Sequence, residues 1–160
     1  MNARIGLPSN LVLGQTSDLL LVQVDGAYPT GKVTFGFNSE PRSITGIQKV
    51  AQFFLKILFT TQGSDLLNPG LGTGFSDLVI RSNITQSPDE FLHSASDFIT
   101  AAVSQVQSLS STDPASTLSS VQIQGINTTA ESIQMYLLLT TQAGEYASIA
   151  IPFPQMNLNV

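Results

Sequence analysis

Asp65 and Asp77 stand on either side of a glycine-rich stretch, Gly70-Leu-Gly-Thr-Gly74. Two carboxyl groups facing each other across a cleft are the chemistry of glycoside hydrolysis. One of them would need an apolar surrounding to stay protonated as the acid, and the residues around both are not evidently apolar; the chain also lacks tryptophan for a sugar platform. Solvated loop aspartates, with Asp65 bonding nearby backbone amides, account for the pair more simply. The glycine stretch has the look of a nucleotide loop, but it follows a helical pattern, lacks Gly-Lys-Ser/Thr and departs from dinucleotide spacing. Glycines for a tight bend and close backbone packing are the simpler reading. His93 is the lone histidine, and a serine triad would need it beside both a nucleophile and an orienting carboxylate. It reads as a partly exposed structural residue. With no cysteine, no paired histidines and no calcium-loop spacing, no catalytic, metal or cofactor-binding residue is assigned.

The composition narrows the partners. At 160 residues the chain suits one domain able to bury its own core without disulfides or metals. Six Lys and Arg against 11 Asp and Glu give a net charge of -5 with no basic cluster, which argues against nucleic acid as a partner. No apolar run approaches the roughly 18–20 residues that span a bilayer, and Met1-Asn-Ala-Arg4 lacks the apolar segment of a secretory signal, so a soluble, unexported protein without a membrane partner is expected. Charged residues make up 11% of the chain, against an average of about 25%. Much of the surface is therefore expected to face other protein.

The positioning elements are legible as periodicities. Residues 1–17 carry Gly6, Pro8 and Gly14 among isolated apolar residues and read as an extended N-terminal arm ahead of a single domain over 18–160. Leu19–Val24 and Val33–Phe37 are β-rich runs joined by turn formers, which predicts a hairpin or two connected strands. From Ser43, Ile44, Ile47, Val50, Ala51, Phe54, Leu55 and Leu58 recur at helical spacing, predicting a helix that ends near Thr61, with Gly63 as a left-handed cap and Pro69 excluding further helix. The run Phe75–Ile80 fits either a short strand or a helical turn. Ser87-Pro-Asp-Glu90 is a capping box, and Phe91, Leu92, Ala95, Phe98, Ile99, Ala102, Val103 and Val106 trace one face of a second helix to about Ser108. Three β-like runs follow, Leu118–Ile126, Ser132–Thr140 and Tyr146–Phe153. The expected fold is α+β, an antiparallel sheet with two main helices packed on it and a C-terminal three-strand meander.

The helix running through Ile57-Leu-Phe-Thr60 to Gly63, followed by Asn68-Pro-Gly-Leu-Gly-Thr-Gly-Phe75, resembles the baseplate-wedge or sheath-initiator proteins of contractile-tailed phages, which are related to R-type pyocin and type VI secretion baseplate proteins. In that family a helix ends in Leu-Thr-x-x-Gly, a Pro-x-x-Gly-Ser/Thr-Gly loop follows, then a second helix and a β-meander. The matching loop residues are Thr60, Gly63, Pro69, Gly72, Thr73 and Gly74, and the resemblance runs from about Val33 to Phe153. Two places depart from it. Ser64-Asp65 stands where the family has Glu-Arg, and Asp113-Pro-Ala-Ser116 where it often has Glu-Pro-Arg, so the ion pairs of those positions are not carried over.

The resemblance implies a non-enzymatic structural role without a cofactor, in the virion tail baseplate after assembly in the host cytoplasm. Its partners would be the tail sheath protein, other baseplate wedge proteins and central spike or tube proteins, with multiple copies around the tail axis. The sheath would be engaged by β-augmentation, for which Tyr146, Ala147, Ser148, Ile149, Ala150 and Ile151 form the candidate strand. Pro152 would limit pairing at one end, as on an edge strand; the same run also fits an ordinary strand of a closed sheet. A tail-terminator or head-tail connector ring is the alternative of the same size and class, and a peptidoglycan glycosidase ranks last.

Overall fold

The computed structural model describes residues 18–19, 22–25, 32–35, 43–85, 88–109, 113–128 and 132–154. The arm over residues 1–17, the turn after Asp25 and the Ser87 cap lie outside them. The elements are β1 (Asp18–Leu19), β2 (Val22–Asp25), β3 (Lys32–Phe35), β4 (Ser43–Ile44), α1 (Gly46–Phe59), α2 (Phe75–Thr85), α3 (Pro88–Ser108), a 3-10 turn (Pro114–Ser116), β5 (Leu118–Thr128), β6 (Ser132–Thr141) and β7 (Tyr146–Pro154). The fold is α+β. Its sheet is the antiparallel meander β5-β6-β7, while β2 pairs with β3 and β1 with β4 as separate two-stranded ribbons.

Alternation along the sheet defines one apolar face. Met135, Leu137 and Leu139 of β6 are buried with Ile149 and Ile151 of β7 and Leu118 of β5, whereas the intervening Gln134, Tyr136, Leu138 and Thr140 are half-buried on the other face. Helix α1 lays Val50, Phe54, Leu55, Ile57 and Leu58 into this core, and α3 adds Phe91, Ala95, Ile99, Ala102 and Val106. Helix α1 lies against β6 and β7, α3 against β5, and α2 packs mainly on the other two helices through Phe75 and Leu78. No buried side-chain polar atom among the described residues lacks a partner.

The run from Phe75, compatible with strand or helix, is the start of α2, an 11-residue helix additional to the two expected. The first helix starts three residues later than its apolar periodicity suggests. Ser43 and Ile44 pair with Leu19 and Asp18, Thr45 is extended, and Gly46 takes φ +57°, a left-handed conformation that no regular helix propagates through. The Thr45 hydroxyl makes no capping bond; instead the Ile47 amide donates to Glu145 Oε2 at 3.2 Å, so the β6–β7 turn caps α1 from 98 residues away.

Leu137 sits on the central strand, fully buried, with paired neighbours Ile123 and Ile149 on either side. Replacing it by alanine should lower stability by about 2–5 kcal/mol, read as a shifted urea midpoint at unchanged slope.

Candidate functional site

The segment between α1 and α2 folds back on the end of the first helix. The last carbonyls of a helix have no partners within it. Here the loop supplies them: Thr73 Oγ1 donates to Leu58 O at 2.7 Å, Ser76 Oγ to Phe59 O at 2.8 Å, and the Thr73 amide to Thr60 O at 2.8 Å. Thr60 itself returns both its amide and its hydroxyl to Lys56 O, at 3.0 and 2.6 Å. Thr73 Oγ1 also accepts the Phe75 amide at 3.2 Å, at the start of α2. One threonine thus ends α1 and helps to begin α2.

Gly72 is the closest approach. Its φ is +106°, and a Cβ there would collide with the Thr60 carbonyl oxygen. Its backbone is clasped from α3, with the Gly72 amide donating to Gln105 Oε1 and Gln105 Nε2 donating to Gly72 O, each at 2.9 Å. Gly74 lies under Phe98 of the same helix, at a distance its ring would deny to a side chain. Gly63 has φ +86° and donates to Pro69 O at 3.0 Å, closing the loop's outer half across its neck. The matched residues Thr60, Gly63, Pro69, Gly72, Thr73 and Gly74 therefore all serve one backbone path.

The outer half ends in a tip. Asp65 Oδ1 accepts the amides of Leu67 and Asn68 at 2.9 and 3.2 Å, so this carboxylate holds a local turn. That turn leaves Leu66 and Leu67 standing 94% and 90% exposed. Asp77 is exposed in the first turn of α2, and His93 Nδ1 lies 3.8 Å from Asp97 Oδ2 on the exposed side of α3. Sequence reasoning missed Gln105 and the two leucines. The spacing Asp65-x-x-Asn68-Pro69 is the local signal for the tip; nothing local marks Gln105 as the clasp.

The second surface is the outer edge of β7. The β6–β7 turn carries Gly144 at φ +83°, with the Gly144 amide donating to Thr141 O and the Thr141 amide to Glu145 O, at 3.0 and 2.8 Å. The register from Thr140↔Tyr146 to Ser132↔Pro154 is unbroken, so amide direction alternates from that closing pair. Ala147, Ile149 and Ile151 point their amides at β6; Tyr146, Ser148 and Ala150 point theirs outward. Pro152 and Pro154 fall in the outward phase, where a missing N–H breaks no ladder bond. Among the described residues no strand forms a ladder on that edge, although β3 lies beside β7. The candidate strand Tyr146–Ile151 thus offers three outward donors before proline ends the row. Asp113, in the second place that departs from the resembled family, caps the 3-10 turn: its Oδ1 accepts the Ala115 amide at 3.2 Å and its Oδ2 the Ser116 hydroxyl at 2.8 Å.

No protein-family model matches the chain, and no curated protein and no solved structure matches it.

The Gln105 clasp gives a stability prediction. Gln105→Ala leaves two backbone groups of Gly72 unpaired and should cost about 1–3 kcal/mol in chemical denaturation. Gly72→Ala should cost at least as much, and the two together less than their sum, because both release the same segment.

Proposed function

We propose that this protein is a structural component of a contractile-tail baseplate, joining the wedge near the central spike or tube and initiating the sheath by strand pairing along β7. It acts without catalysis or a cofactor, in several copies around the tail axis, in the host cytoplasm during assembly and in the virion afterwards. The observation that carries this reading is the β7 edge, an unbroken strand with outward amides at Tyr146, Ser148 and Ala150 and no ladder partner among the described residues. Main-chain pairing there would supply affinity, and side chains on alternate faces would supply selectivity. Support also comes from a helix that runs into a glycine loop and a terminal meander, with α2 as an extra helix between the loop and α3, and from a glycine loop whose matched residues act as one unit.

Ile149 and Ile151 are core residues, so removing the strand would unfold the protein and test nothing about pairing. Ser148→Pro is the better probe. Ser148 is exposed, its amide faces away from β6, and the strand already carries prolines in that phase. Mixed with purified tail-sheath subunits, the unaltered chain should seed sheath rings visible by light scattering and electron microscopy. The Ser148→Pro chain should keep a cooperative melt but lose seeding. A folded chain that neither binds nor seeds sheath, and closes into a hexameric ring by itself, would overturn this reading in favour of a tail terminator.

A further inference from the structure

The β7 edge is free of a ladder, yet it does not face empty space. Strand β3 comes within 8 Å of β7 between Cα atoms, and its approach to the central β6 or to any helix is slighter. Two sheets stacked face to face stand about 10 Å apart, whereas strands side by side are about 4.8 Å apart. β3 therefore lies beside β7, on the side away from β6, and not over the meander. Among the described residues no ladder joins the two, and β3 pairs with β2 alone.

The ribbon is rooted near the start of the same strand. The chain enters and leaves it at the β1–β4 pair, where Asp18 and Leu19 meet Ile44 and Ser43. Ile44 is buried, and three residues further on the Ile47 amide donates to Glu145 Oε2, one residue before β7 begins. The base is thereby fixed close to Tyr146. Beyond it, the described main-chain pairing is the short ladder from Val22↔Phe35 to Asp25↔Lys32. A two-stranded ribbon of that kind is marginal in water by itself.

Distance decides what the ribbon does. A strand inserted between β3 and β7 would need two neighbour spacings, about 10 Å, and β3 already stands closer than that. An incoming strand and β3 cannot both occupy the β7 edge. We propose that the β2–β3 ribbon is a displaceable cover for this edge, which blocks pairing between free copies and swings aside when a sheath strand takes its place. An uncovered strand edge is a template for unwanted pairing, and covering it is one way natural sheets avoid that. The inference rests on the sheath-pairing reading of β7 and adds its regulation. Moving the cover breaks no ladder bond to β7, while the incoming strand gains the amides of Tyr146, Ser148 and Ala150. That difference favours displacement.

The chain has no cysteine, so a spin label on Thr34→Cys sits at a single site. In the free protein it should broaden the amide signals of Tyr146, Ser148 and Ala150 more than those of Gln122 and Gln124 on the far strand β5. A second chain carries Val24→Pro and Val33→Pro, which face each other in the ribbon and break its ladder. In that background the broadening at β7 should fall and the chain should self-associate on gel filtration, and adding Ser148→Pro should return it to its former size. Mixed with tail-sheath subunits, it should seed at roughly tenfold lower concentration, because a covered edge binds only in the fraction of chains that are open. Absence of selective broadening in the Thr34→Cys chain would overturn the proposal whatever the proline variants do. Where the unaltered chain seeds sheath, a cooperatively melting double-proline chain that seeds no better would overturn it too. If the label and the self-association behave as expected but neither chain binds sheath, the baseplate reading is overturned and the cover stands.

Discussion

The end of α1 depends on bonds made by residues that come after it. Its final carbonyls at Leu58 and Phe59 are met by the hydroxyls of Thr73 and Ser76, which the chain must turn back to deliver. That return requires Gly72 to pass against the Thr60 carbonyl with a positive φ, and the Gln105 amide fixes the passing backbone from α3. The three helices are thereby tied at one point. Phe59 and Phe75, at the two ends of the loop, meet edge to face with centroids 5.4 Å apart, so apolar packing and hydrogen bonding agree on the same path.

A firmly held interior has consequences for the surface. Because the loop's neck is closed by the bond from Gly63 to Pro69 and its tip by Asp65, the two exposed leucines are presented by fixed backbone. The β7 edge is held in a comparable way: its inward side chains are anchored in the core, and its turn is fastened to the start of α1 through Glu145. Both surfaces are set on rigid supports, which keeps the ordering cost of docking low.

Much of the fold was open to reading from local pattern. Period-two alternation fell on the three strands of the meander to within two residues, and the helical stripe of α3 ran to Ser108 as its apolar spacing indicates. Phe75–Ile80 could not be resolved because six residues match both periods; packing of Phe75 and Leu78 against α1 and α3 selects the helix. The start of α1 slipped because Ile44 satisfies the helical stripe and is also buried as part of β4, and only the pairing with Asp18 decides between them.

The candidate site divides along the same line. By itself, the sequence determined that a helix gives way to a glycine loop, that Gly63 and Pro69 forbid regular structure there, and that Tyr146–Phe153 forms a strand, which the structure carries through Pro152 to Pro154. Those are properties of neighbouring residues and their allowed backbone angles. Only the tertiary structure decided that Gln105 clasps Gly72 from 33 positions away, that Glu145 caps a helix 98 positions earlier, that Leu66 and Leu67 stay outside the core, and that the amides of Tyr146, Ser148 and Ala150 face outward. The clasp, the cap and the strand edge each depend on which distant group lies within about 3 Å, a distance no local pattern encodes, whereas the turn that exposes the leucines is local to Asp65.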